Sequence, residues 1–116
     1  MTVVLPWPAP ALSSNARLHW RLKANAVAKA RRDAFFAAKA ACVFRDDRAV
    51  LRFAYHPPSR HHRDVQNMPA MLKAAIDGIA DAMGCDDHGF RPRFPDRFGP
   101  PRPGGAIIIT ICSEED

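Results

Sequence analysis

Cysteine is scarce and poorly placed for cross-linking. The three cysteines, Cys42, Cys85 and Cys112, are widely spaced, odd in number and joined by no CxxC or Cys/His pattern, which argues against a disulfide framework or a structural zinc site and for reduced, buried thiols. Long apolar runs are missing as well. Uninterrupted branched aliphatic residues reach only three, as in Ile107 to Ile109, and no positively charged start leads into an apolar stretch. Neither a membrane span nor a secretory leader is expected, and a cytoplasmic location is the default. Lysine is also sparse. It supplies four of the 17 basic residues, so the net charge of +5 rests on 13 arginines, whose rigid paired donors suit phosphate better than an ammonium does. An anionic partner is favoured, with an ordinary solvated surface as the alternative.

What is present is ordinary for a folded protein. A hydrophobic fraction of 47% and a charged fraction of 25% in 116 residues exclude wholesale disorder and a charged coiled coil, and predict one domain over residues 1–116. The interior of so small a domain is limited, so self-association is a natural way to cover a leftover apolar face.

Thr2 to Leu5 reads as a short strand ended by Pro6, Pro8 and Pro10. Ser13, Ser14 and Asn15 then offer turn or capping groups before a Gly- and Pro-free segment, His19 to Ala41, that predicts a helix. Its expected packing residues are Val27, Ala30, Ala34, Phe35 and Phe36, with Arg21, Lys23, Arg31, Arg32 and Lys39 exposed. Val50 to Tyr55 alternates with a period of two and predicts a strand, and Cys42 to Phe44 offers a second that would make an antiparallel hairpin with it. Met68, Met71, Leu72, Ala75, Ile76, Ile79 and Met83 recur at helical spacing, so a helix is expected over Met68 to Met83, with Asn67 as cap, Pro69 in the first turn and Gly84 as terminator. Prolines and arginines alternate through about 90–105, a rigid loop or broken edge segment that is either a phosphate-contacting flap or an ordinary soluble loop. Ala106 to Cys112 reads as a buried strand, and Glu114 to Asp116 as an acidic tail. No internal repeat is apparent. Together these predict an α+β fold, a small mixed or antiparallel sheet packed by two main helices.

The residues able to carry chemistry bracket the Met68 to Met83 helix. Arg63, Asp64, Gln66 and Asn67 precede it, Lys73 lies within it, and Asp86 and Asp87 follow it. Paired carboxylates can hold Mg²⁺ against a phosphate, and neighbouring arginines offset their repulsion of it. A straight helix of that length is about 24 Å long, so its two ends can share a site only if the chain after it returns along the helix, or a partner supplies the second acid. For Asp64 and Asp87 the competing role is a helix-start or salt-bridge residue. For Lys73 it is an ion pair with Asp77, and the spacing of Lys73, Asp77 and Asp81 also suits local pairing. His61 and His62 are candidate DNA contacts or general acid–base groups, and Trp20 either stacks on an exposed base or anchors its helix.

The stretch HHRDVQNMPAMLKAAIDGIADAMGCDD, with NARLHWR before it and GAIIITI after it, resembles the RusA family of Holliday-junction resolvases, particularly its phage-associated members, over Leu5 to Ile111. That resemblance implies a small α+β homodimer that binds four-way or branched DNA and cuts phosphodiester bonds with Mg²⁺, or Mn²⁺ as substitute. It makes Asp64 and Asp87 catalytic, with Lys73 stabilising charge. Asp64, Gln66, Asp86 and Asp87 become the metal set, and Asn67 a supporting residue. Arg17, Arg21, Arg31, Arg32, Arg60, His61, His62 and Arg63 are the expected DNA contacts. Two departures stand out. The family's Asp-x-Asp-Asn is Asp64-Val65-Gln66-Asn67 here, which replaces an acid by an amide with no negative charge. The lysine expected three residues after the asparagine stands six after it, with Ala70 in its place, about 300° further around a regular helix. A noncleaving junction-binding module that retains the nuclease fold is therefore the alternative.

Overall fold

The alternation in Val50 to Tyr55 is realised as a seven-residue strand. We describe the fold from a computed structural model, which covers residues 1–13, 17 and 19–113; the expectations placed on Ser14, Asn15 and the acidic tail lie outside the described residues. The strands are β1 (Thr2–Leu5), β2 (Val50–His56), β3 (Arg91–Arg93) and β4 (Ala106–Cys112), and the helices are α1 (Trp20–Ala40), α2 (Met68–Met71) and α3 (Lys73–Met83). The sheet order is β1-β4-β2-β3, with β4 antiparallel to both β1 and β2 and with β2 parallel to β3. The fold is thus α+β, with a mixed sheet.

Register follows from the period of two. Val3 pairs with Ile109 and Ile109 with Phe53, while Leu5 pairs with Ile107 and Ile107 with Tyr55, so the large apolar residues of three strands share one buried face. α1 and α3 cover this face, and Leu72, Ile76 and Ile79 belong to the same core. Among the described residues, no helix is long and apolar enough to cross a membrane.

α1 packs as expected at Ala34, which is buried, and at Phe35, which is partly buried against the core. It departs from expectation at Phe36 and Val27, which are 60% and 41% exposed, and Ala38 is buried in addition. The reason is the partner helix. A Cβ added to Gly78 of α3 would lie 2.2 Å from the Arg31 carbonyl oxygen and 2.9 Å from the Ala34 Cβ, so the two helices meet almost backbone to backbone and only small side chains fit between them.

The expected Cys42 to Phe44 strand is absent, because these residues cap α1; Cys42 is thereby exposed, and with Cys85 and Cys112 half-buried none of the three thiols is buried as expected. Cys42 adopts a left-handed φ of 57°, its amide bonds to the Lys39 carbonyl, and the Val43 amide bonds to the Ala38 carbonyl, the Schellman arrangement that usually calls for glycine. The long helix expected over Met68 to Met83 is likewise divided at Leu72, whose amide is shared between the Met68 and Pro69 carbonyls. That tightened turn ends α2 and restarts the helix at Lys73.

The proline-rich stretch is tied down along the sheet. Arg91–Arg93 adds a parallel edge strand to β2, and beyond it the Gly99 amide donates to Tyr55 O at 2.8 Å and the Arg102 amide to Pro57 O at 2.9 Å. Phe94 stacks near Phe53, and Phe98 packs between Trp7 and Tyr55.

Two substitutions test this packing with opposite signs. Gly78→Ala should lower unfolding free energy by about 3 kcal/mol through overpacking, and Cys42→Gly should raise it by about 1 kcal/mol by relieving the left-handed residue. Urea denaturation of both variants checks this; equal stabilities would contradict the proposed crossing and cap.

Candidate functional site

Residues at intervals of four leave the same side of a helix, and Lys73, Asp77 and Asp81 do so on α3. Lys73 Nζ lies 2.9 Å from Asp77 Oδ1, the local pair expected from the spacing. Asp81 pairs elsewhere: Arg31 of α1 donates from Nε to Asp81 Oδ2 at 2.6 Å and from Nη2 to Oδ1 at 2.9 Å. This fork depends on the close helix crossing at Gly78.

The chain after α3 returns toward the helix. Gly84 terminates α3 at a φ of 73°, and the chain forms a 3-10 turn at Asp87–Gly89 that is capped by Asp86, whose Oδ1 accepts from the His88 amide at 2.9 Å. Gly89 fixes where this turn sits, since a Cβ there would lie 2.2 Å from the Asp47 carbonyl oxygen. The consequence is a hydrogen-bonded ion pair between Lys73 Nζ and the Asp87 carboxylate. Lys73 is the first residue of α3, so the returning chain bridges the helix that separates the two residues in sequence.

A polar cleft of about 350 Å³ results, lined by Arg31, Asp77, Asp81, Cys85, Asp86 and Asp87 around Ala80. Two of its carboxyls, Asp81 and Asp87, are held below the ordinary carboxylate range. The hydrogen bond from Lys73 is the largest influence lowering Asp87, and the one from Arg31 is the largest lowering Asp81, in each case against a smaller upward push from burial. Lys73 is raised in turn, first by Asp87 and then by Asp77. Burial, the largest influence on Cys85, raises its thiol, so it stays protonated near neutral pH.

Of the residues singled out in the sequence, Asp86 and Asp87 line the cleft, and Lys73, which does not line it, is ion-paired to two of its acids, Asp77 and Asp87. Asp64, Gln66 and Asn67 are not among the residues lining the cleft. They form a separate 3-10 turn, Val65–Asn67, capped by Asp64, whose Oδ1 accepts from the Gln66 amide at 2.9 Å. Asn67 precedes α2 without making a side-chain cap. Among the candidate DNA contacts, Arg17, Arg21, Arg32, Arg60, His61 and His62 are exposed, and the Arg21 guanidinium lies 5.3 Å from the Trp20 ring centroid. Arg31 is engaged by Asp81. Arg63 is engaged too, donating to the Ser59 and His61 carbonyls and to Ser59 Oγ and lying over Trp7; it holds the histidine loop in shape. Trp20 is 68% exposed and so does not anchor its helix.

No group of three or more His, Cys, Asp or Glu side chains among the described residues is placed to hold a metal ion. What the fold does supply is a pair, Asp77 and Asp87, on the two sides of one ammonium. Mg²⁺ commonly binds through one or two carboxylates together with substrate phosphates, so the donor chemistry of this pair fits that ion. The sequence predicts local pairing for Asp77 and Asp81, or compensation for the missing acid if the fold places one of them near Asp64; their positions four and eight residues after Lys73 are the available signal for their place in the cleft.

No model of a known protein family matches the chain. It is similar to an uncharacterized protein of Xylella fastidiosa (strain Temecula1 / ATCC 700964), with 38% identity over 117 aligned residues that cover 95% of this chain and 74% of the relative.

The ion pairs make acid stability a direct readout. A carboxyl lowered from its ordinary 3.8 stabilises the fold fully above that value, and the stabilisation is lost as pH falls through the lowered one. Urea midpoints measured from pH 6 to pH 2 should therefore fall more for the wild type than for Lys73→Met or Arg31→Met. Parallel curves would contradict the pairing.

Proposed function

The chain belongs to one family with the uncharacterized Xylella fastidiosa protein, and we propose that it acts as a RusA-type endodeoxyribonuclease that resolves four-way DNA junctions in the cytoplasm as a homodimer. One observation carries this reading: the chain after α3 returns to set Asp87 against Lys73 and beside Asp77. The late acid of the RusA-like motif lines the cleft and is ion-paired with the displaced lysine.

Asp77 and Asp87 would hold Mg²⁺, with Mn²⁺ as substitute, and Asp86 lies at the same rim. Such an ion, when bound, supplies Lewis-acid neutralisation of charge at the phosphate. The remaining work falls to side chains. Lys73 has three ammonium donors and a side chain that is 62% exposed, so it can present a donor to a phosphate oxygen as charge develops there. Arg21, Arg32, Arg60, His61 and His62 are free of the cleft's ion pairs and supply contacts to the DNA backbone, which give affinity without sequence readout. Arg31 keeps α1 fastened to Asp81 and so fixes one wall.

A noncleaving junction-binding module is the second reading, favoured by Gln66 at the position of an acid and by the internal pairing of Asp77, Asp81 and Asp87.

A synthetic four-way junction and a matched linear duplex, each incubated with Mg²⁺ or Mn²⁺, separate the two. The nuclease reading expects nicking of the junction alone, abolished by Asp87→Asn with junction binding retained, and slowed about a hundredfold by Lys73→Met. Tight junction binding without nicking in either metal, with cleavage gained in Gln66→Asp, supports the module. No junction preference and no cleavage would overturn both.

A further inference from the structure

A second cavity shares Asp77 with the carboxylate cleft and continues it past Lys73. Its volume is about 230 Å³, below the roughly 300–1,000 Å³ of a drug-sized pocket and suited to a single planar heterocycle. Its character is opposite to that of the cleft. Leu12 and Ala74, both nearly buried, form the floor, and Val27 and Ala70 stand at the exposed rim with Met71 between them. Lys23 and Lys73 provide cationic groups at its edge. Val27 lies seven residues after Trp20 on α1, so the two point to the same side; both are large apolar side chains left exposed, at 41% and 68%, and the Arg21 guanidinium lies 5.3 Å from the Trp20 ring centroid.

We propose that this cavity receives one unstacked nucleobase of the DNA strand whose phosphate lies at Lys73. The inference rests on the junction-directed reading above. An apolar slot accepts the faces of a base, an exposed aromatic on the same side of the helix offers a stacking surface, and cations at the edge complement the phosphates that flank any base in its own strand. Because the slot shares Asp77 with the cleft, and Lys73 at its edge is paired to Asp77 and Asp87, a base seated in it fixes which phosphodiester reaches the carboxylates.

The probe is a four-way junction carrying 2-aminopurine at one position near the crossover, moved through successive positions. The fluorescence of this base rises when it leaves the stack. Wild-type protein in Ca²⁺ should raise it several-fold at one or two positions only. Ala70→Trp fills the slot from its exposed rim, and Val27→Glu places a charge in the opposite wall. Each should remove the signal and weaken junction binding about tenfold, with thermal unfolding unchanged. Junction binding with no fluorescence change at any position overturns the inference and leaves the nuclease reading standing. A signal unchanged in both variants also overturns it, and if the variants lose self-association as well, the slot belongs to a second copy of the chain. Failure to bind any junction removes the functional reading and the inference together.

Discussion

The contact that sets the geometry of the helical layer is the crossing of α1 and α3 at Gly78, where no side chain separates the helices and the Arg31 carbonyl takes the place a Cβ would fill. Close approach of this kind determines composition. It restricts the fully buried positions of α1 to Ala34 and Ala38, leaves Phe35 partly buried beside them and turns Phe36 outward. It also determines electrostatics, because it brings the Arg31 guanidinium within forked hydrogen-bonding distance of Asp81, fifty residues away in sequence. A wider crossing would leave the carboxylates of α3 facing solvent with no wall opposite them.

Within the layer so fixed, the cleft gathers more acid than an isolated polypeptide surface tolerates comfortably. Asp77, Asp81, Asp86 and Asp87 line it together, and the repulsion among them is met by Lys73 and Arg31. These cations hold Asp77, Asp81 and Asp87 in ion pairs and lower the Asp81 and Asp87 carboxyls, leaving oxygen ligands of the kind a hard divalent ion takes. A lysine that bridges two carboxylates is held near the place where a phosphate would meet them. Four carboxylates against two cations leave the site net negative, so a polyanion could approach it only with a divalent cation bound.

The strongly periodic parts of the fold were legible in the sequence. β2, β4 and the apolar face of α3 follow directly from spacings of two and of three to four. What escaped was conformation set by single residues or by distant contacts. Cys42 in a left-handed cap looks like the start of a strand, because a β-branched residue and an aromatic follow it. The division at Leu72 leaves the hydrophobic period intact and so has no pattern of its own. β3 contains Pro92 and gains its identity only by lying beside β2, from about 40 residues away. In the candidate site, the acids and the lysine were identified, but their grouping was not. The return of Asp87 to Lys73 depends on Gly84 and on the seating of Gly89 against Asp47, neither of which spacing reveals. Asp64, the most prominent acid of the motif, caps its own turn instead of lining the cleft.

The central claim is that divalent cations gather at the carboxylates joined by Lys73. Paramagnetic broadening of amide resonances during a Mn²⁺ titration of the isotopically labelled protein measures this residue by residue, without DNA and without turnover. The amides of Asp77, Asp86 and Asp87 should broaden at the lowest Mn²⁺ concentrations, ahead of those of Val65, Gln66 and Asn67. Early broadening confined to residues 65–67, with Asp77 and Asp87 untouched, would contradict the account.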